Sequence, residues 1–495
     1  MYWCRLRIRV VLWLAAVLVW TLVPVAAQAQ IGGFGGGGLG GGGFGGGGFG
    51  GGGFGGGGLG GGGGAGNNQN AGVIIDAQGV LKMQLHRDPT GRAGRQRIQA
   101  AVANLNRKLT KFSQMRKISL NRLEKAVAER LAAGAQPDDE MKNLAGMLRI
   151  QYVLFYPDSG DIVLAGPAEG FAEDLAGHVR GLTTGWPVLQ LQDLIVALRA
   201  YPPGNNAANV IGCSIDPTQD GLQRMQRALA AIGRQIRPGD GPRIARTLRQ
   251  ALGYQNVTID GVSPKTHFAQ VMVEADYRMK LIGIGLEKPP VKIASYVARA
   301  NPRSVARNAL QRWYFTPFYK CLRVAEDGQA MEFRGWGVRL IGQSELIKEN
   351  GGRVAAGGQN KASEVFCKSF TDMYPKLARV VPVYAQLRNM IDLSVAGAFI
   401  QAKDFYSQSG WNLGVFADES KLPVETYEAP QKVESAVNVI WKGSTLMTPI
   451  GGGVEIHPQK AVRKDNWIPD EGGTVAATRK KITLSQLREG QWWWD

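Results

Sequence analysis

Glu274-Ala275-Asp276-Tyr277-Arg278-Met279-Lys280 gathers four charged side chains into a segment with helical spacing. Two carboxylates so close together suggest an acid/base pair or a pair of cation ligands. The spacing also supports a plainer role. Glu274 and Arg278, like Asp276 and Lys280, are four apart with acid before base, an arrangement that stabilises a helix. Glu274 and Asp276 are two apart and point about 160° from each other on such a helix. An acid/base site would therefore need a third carboxylate from elsewhere, Asp392 or Glu332. Arg388 and Asp392 repeat the four-residue spacing in an otherwise apolar run. The planar fork of Arg388 suits a carboxylate or a phosphate, and an ion pair holding two helices in register is the simpler account.

The other reactive side chains form no familiar motif. His86, His178, His267 and His457 occur singly, without an HxH or HExxH spacing, so no metal site is expected. No G-x-S-x-G elbow is present; the nearest phrase, Gly443-Ser444, lacks its frame. Cys213, Cys321 and Cys367 follow the apolar N-terminal run; they allow at most one disulfide, and buried free thiols are expected. No cofactor is indicated. The run Trp492-Trp493-Trp494 can close a hydrophobic groove or offer a sugar-stacking platform, but three consecutive side chains cannot all face one way. The candidates are thus Glu274, Asp276 and Asp392 for catalysis, and Arg388, Trp492, Trp493 and Trp494 for ligand binding.

Three hairpins should mark the sheet parts of the scaffold. Val73–Ile75 and Val80–Met83 flank Asp76-Ala77-Gln78-Gly79, and similar turns separate 152–156 from 161–165 and 321–324 from 330–333. Ile98, Val102, Leu105, Leu109 and Phe112 are spaced four, three, four, three, which predicts one helix with an apolar stripe; a second helix follows a Ser119 cap. A third starts at Pro137, with Asp138, Asp139 and Glu140 at its positive end. Residues 209–215 and 257–259 read as strands, whereas 223–236, 242–252 and 264–282 read as helices. Residues 361–403 read as a helical hairpin broken near Pro382.

The 495 residues exceed what one core usually organises. The expected organisation is a signal peptide at 1–29, a Gly-rich disordered segment at 30–70 and an α+β unit with basic helices at 71–205. A second α+β unit at 206–345, a helical hairpin at 346–410 and an irregular β-rich region at 411–495 follow. The fold class is α+β, with mixed sheets, hairpins and helical segments.

Arg5, Arg7 and Arg9 precede an apolar run from Val10 to Val23, and Ala27-Gln28-Ala29 offers small residues for cleavage before Gln30. The run is shorter than the roughly 20 residues a bilayer needs, which favours cleavage over anchoring. Between Gly32 and Gly66 lie 28 of the 68 glycines, four to each Phe or Leu. Such a segment has too little apolar area to offset the entropy of ordering. Its period of five excludes collagen. The expectation is a free tail after cleavage, or a tether if the signal is retained.

The net charge of +18 favours anionic partners. Twelve Lys or Arg against three acids fall between Arg87 and Leu131. No nucleic-acid-reading motif accompanies them, so nucleic acid is not an expected partner. An acidic envelope polysaccharide, the membrane surface or another envelope protein is.

The stretches GPAEG, TTGWPVLQLQDLIVALRA (183–200), IGCSIDPTQDGL (211–222), VMVEADYRMKLIGIGLE (271–287), YAQLRNMIDLSVAGAFI (384–400) and IGGGVEIHP near Gly451 together resemble an uncharacterised family of exported proteins found mainly in planctomycete bacteria. The resemblance spans most of residues 71–460. It implies a secreted or envelope location and supplies no catalytic residue. The function expected from the sequence is an exported envelope protein that binds or scaffolds, with an envelope hydrolase built on the three carboxylates as the alternative.

Overall fold

A computed structural model describes residues 72–84 and 92–495, apart from 234–235, 303–305, 307, 336, 357, 359, 442–444, 448–449 and 486. The signal-like segment, the glycine repeat and His86 lie outside the described residues. The three hairpins form where their turn chemistry places them. Asp76 Oδ1 accepts from the backbone N–H groups of Gln78 (3.0 Å) and Val80 (2.9 Å), and Gly79, Gly160 and Gly328 close the three turns at positive φ.

The fold is α+β, with mixed sheets and, among the described residues, thirteen α-helices. Eight of these have ten residues or more: α1 (Arg92–Asn104), α2 (Leu120–Ala132), α3 (Leu191–Ala200), α4 (Gln219–Ile232), α5 (Gly241–Leu252), α6 (His267–Gly283), α7 (Lys361–Val380) and α8 (Pro382–Ala402).

One sheet has nine strands, in the order Val73–Ile75, Val80–Met83, Lys432–Glu434, Tyr254–Asp260, Ile211–Pro217, Ile450–Ile456, Ala309–Pro317, Val338–Ile347 and Arg353–Ala355. Its pairings are mostly antiparallel, but Ile450–Ile456 runs parallel to Ala309–Pro317, with Gly452 opposite Trp313. A Cβ at Gly452, where φ is +116°, would lie 1.9 Å from the Trp313 carbonyl oxygen. The triple glycine thus lets a central strand sit close to its neighbours. A second sheet of seven strands runs Trp467–Ile468, Leu322–Val324, Ala330–Phe333, Tyr152–Tyr156, Asp161–Ala168, Ser113–Ser119 and Trp493–Trp494.

Helix α6 packs on the first sheet through the strands Ile211–Pro217 and Ile450–Ile456, and α8 packs in turn against α3, α6 and α7. From Val383 to Ile400 every residue of α8 is buried. One apolar cluster includes residues of all these elements. The helices α4 and α5 build a separate small core with Leu310, Ile347 and Val437.

The apolar stripe from Ile98 to Phe112 does not form a single helix. Helix α1 ends at Asn104, Ile98 and Val102 remain 43% and 47% exposed, and Asn106 starts a turn by accepting from Lys108 N (3.0 Å). The chain then becomes the strand Ser113–Ser119, which pairs with Asp161–Ala168. A long-range ladder overrides local periodicity here. The second helix begins as expected, with Ser119 capping α2 through Arg122 N.

Candidate functional site

Helix α6 is buried on nearly every side, so that Glu274, Asp276 and Lys280 have no solvent face and Arg278 is half-buried. Apolar residues all round would normally mark such a core helix. Its polar residues are therefore held by partners reaching in from other elements, as buried charge requires.

Lys280 Nζ donates to Asp276 Oδ2 (2.7 Å), to Ile215 O (2.8 Å) and to Gly452 O (3.0 Å). All three of its donors are used, and they join α6 to two adjacent strands of the nine-stranded sheet. Burial pushes the Asp276 carboxyl up to about 6, with Lys280 pulling the other way.

On another side of α6, Glu274 receives Arg278 Nη1 at 3.3 Å, and Arg278 also donates to Glu287 (2.9 Å from Nη2). Burial pushes Glu274 up to about 7 against the pull of His178 and Arg278. His178 is buried in the hairpin that joins Phe171–Glu173 to Val179–Gly181, with Nδ1 3.4 Å from Asp174. Burial alone would lower its pKa, but the Asp174 carboxylate and then Glu274 raise it.

At the start of α6, His267 Nδ1 lies 3.0 Å from both oxygens of Asp193 on α3. This buried Asp–His pair orients an imidazole. Among the described residues, His267 Nε2, Gln270 Oε1 and Glu274 Oε2 are buried without a hydrogen bond.

Asp392 lies apart from these groups. Its Oδ2 is 3.9 Å from both Arg149 and Arg388 on α8, and the Arg388 guanidinium stacks 4.9 Å from the Trp186 ring. Burial raises the Asp392 carboxyl and lowers Arg388 to about 10, the latter helped by Arg149. Among the described residues no hydrogen bond or ion pair links any two of Glu274, Asp276 and Asp392. Glu332, the other partner considered from the sequence, is taken up by Arg323 (3.3 Å) and Arg334 (3.2 Å).

The tryptophan run ends the seven-stranded sheet. Trp493 and Trp494 pair with Ile118 and Lys117, and Trp492 is buried. Trp493 Nε1 donates to Glu140. The fully buried Arg116 grips Asp495 with Nε (2.8 Å) and Nη2 (3.0 Å) and stacks 4.7 Å from the Trp493 ring.

A cleft of about 990 Å3 opens between α1, residues 136–143, the 171–181 hairpin, the start of α3 and residues 422–424. Phe171, Leu191, Ile195 and Val424 give it an apolar wall, while Arg97, Asp139, Lys142 and Gln192 give it polar ones. None of the seven candidates from the sequence lines it. Among the described residues no group of three or more His, Cys, Asp or Glu is placed to hold a metal ion. Cys213, Cys321 and Cys367 are all free and buried, and burial pushes the Cys321 and Cys367 thiols up to about 12.

Sequence reasoning missed a second concentration of charge. Between Gln219 and Leu252 there are seven arginines, no lysine and two aspartates. Helices α4 and α5 bury Leu222, Met225, Leu229, Ile244, Leu248 and Leu252. Arg224, Arg227, Arg237, Arg243 and Arg246 are exposed, and Arg249 is half-buried. The signal was present as arginines three apart opposite each apolar stripe. Several basic residues of the 87–131 region, by contrast, are engaged internally. Arg116 binds Asp495, Arg122 binds Asp161 (2.8 Å), and Arg97 Nη1 donates to Asp174 O (2.8 Å).

Residues 213–296, which hold both the α4–α5 arginines and the α6 pairs, match the model of a family described as a protein of unknown function (DUF1598). No curated protein and no solved structure matches the chain.

Proposed function

We propose that the chain is an exported cell-envelope protein that binds or scaffolds at an acidic surface. The arginine face of α4 and α5 carries this reading. It is exposed, its arginines outnumber its two aspartates, and it lies inside the segment that matches the family model. The signal-like N-terminus, the net charge of +18 and the likeness to exported planctomycete proteins point the same way. Among the described residues no helix is long and apolar enough to cross a membrane, so attachment through that face is a surface contact. Hydrolysis by Glu274, Asp276 and Asp392 has less support, because each carboxylate serves its own internal ion pair and none reaches the cleft.

The test is a pulldown by isolated envelope material across a salt series, using the chain with and without residues 30–70. Capture at low salt that falls steeply as salt rises supports the reading, since screening weakens exposed charges. Capture indifferent to salt overturns it. Sequencing the mature N-terminus is expected to start at Gln30.

A further inference from the structure

We infer that the outer faces of α4 and α5 dock onto the headgroups of an anionic phospholipid bilayer, a partner assignment that rests on the acidic-surface reading above. The two helices lie side by side and antiparallel, since Arg224 Nε near the start of α4 donates to Ala251 O at the end of α5 (2.9 Å). Both turn their apolar stripes toward Leu310 and Ile347 of the nine-stranded sheet. Arg224 and Arg227, and Arg243, Arg246 and Arg249, are three apart on the opposite sides, so the guanidinium groups occupy one layer. The twelve residues of α5 extend that layer about 18 Å.

Little within the face cancels its charge. Asp220 and Asp240 are the only acids between Gln219 and Leu252. Asp240 already accepts from Arg243 Nη2 (3.4 Å) and from the Arg237 backbone N–H (2.9 Å). Among the described residues Arg227, Arg237 and Arg246 have no ion-pair partner. Arginine without lysine suits phosphate, whose oxygens the planar fork meets two at a time.

The aromatics around the face favour a bilayer over a nucleic acid. Trp441, 40% exposed, lies on the strand Val439–Trp441 beside the start of α5, where a Cβ on Gly241 would come 3.5 Å from Val439 O. Tyr254, 48% exposed, follows Gly253 at the other end of α5. Large rings with a polar edge, set at the margins of a basic patch, belong at the headgroup level of a membrane. Single-stranded nucleic acid is held by aromatics interleaved with the cations, which stack successive bases; here the two aromatic residues lie at the ends of α5 and not among its arginines.

The experiment is co-sedimentation of the full chain with phosphatidylcholine vesicles, with and without phosphatidylglycerol, at low and high salt. We expect binding in excess of the phosphatidylcholine baseline only when phosphatidylglycerol is present, and its loss at high salt. The exposed triple variant R227Q/R237Q/R246Q should lower that excess on the order of a hundredfold, about fivefold per charge, with an unchanged thermal melt. Trp441→Ala should lower it further in a way that salt does not mask. No excess with phosphatidylglycerol, or a triple variant that binds like the parent, overturns the inference. Salt-sensitive binding to soluble polygalacturonate or single-stranded DNA without vesicle binding also overturns it while leaving the acidic-surface reading standing. Binding to none of these overturns both.

Discussion

Helix α6 and the α4–α5 pair are neighbours in sequence, and both are rich in charge at helical spacing, yet one turns its charge inward and the other outward. On α4 and α5 the apolar residues occupy one side, so the arginines opposite them stay in water. On α6 Phe268, Val271, Met272, Val273, Ala275 and Met279 surround the charged residues. Glu274, Asp276 and Lys280 are buried with them. Charge that cannot reach water must be matched inside, and Lys280 does this by filling every donor position. The contrast shows that charges at helical spacing report helix formation in either setting, while the distribution of apolar residues around the helix decides whether those charges are structural or available.

The largest test of the contrast is Lys280→Ala. It strands Asp276 in the core and should cost on the order of 3–5 kcal/mol, read from urea unfolding. The double variant D276L/K280M should cost clearly less, because no charge is left unmatched. Equal losses for the single and double variants would mean that the pair is not treated as a unit by the fold.

Next comes pH. Burial holds Glu274 near 7 and Asp276 near 6, above their unfolded values, so the folded chain binds more protons than the unfolded chain between roughly pH 4 and 7. Stability contributed by these two groups is fully present below that window and is lost as pH rises through it. His178, also raised, acts with the same sign. The lowered carboxylates Asp161, Asp174 and Asp495 act oppositely, losing stability as pH falls through their folded values. The urea midpoint should therefore decline from about pH 5 to pH 8, and Glu274→Gln should remove about 2–3 kcal/mol of that decline.

Smaller still is the expected effect of Asp392→Asn. It leaves Arg149 and Arg388 without the carboxylate that lies near both and should destabilise by about 2 kcal/mol, read from the same urea unfolding. The smallest effect belongs to the outer face. Arg227→Gln with Arg246→Gln should shift stability by no more than about 0.5 kcal/mol, measured in the same urea series. A loss as large as that at Lys280 would show that the arginine face supports the fold and would break the comparison.

The parts of the fold legible in the sequence are those whose causes are local. Asp76 and Gly79 specify their turn wherever the hairpin lies, and Ser119 caps α2 with its own hydroxyl. The break at Pro382 separates α7 from α8, because proline is accepted in the first turn of a helix and not beyond it in most contexts. Pro375 inside α7 is the counter-example, in a helix that buries Phe366, Phe370, Tyr374 and Leu377. The arginine face was equally local and could have been found by asking what lies opposite each apolar stripe. The strand Ser113–Ser119 could not, because its partner Asp161–Ala168 lies some 45 residues on.

The sequence by itself determined the three hairpin turns, the acid–base pairing within α6 and α8, and the one-sided arginines of α4 and α5, because each follows from spacing along one helix or turn. Only the tertiary structure decided that Glu274, Asp276 and Asp392 are buried in three separate surroundings. It also decided that His267 meets Asp193, and that Trp493 and Trp494 form an edge strand locked by Arg116 and Glu140. Those outcomes depend on which distant surface covers a residue. Burial then sets solvation, and with it the charge state, which spacing along the chain does not encode.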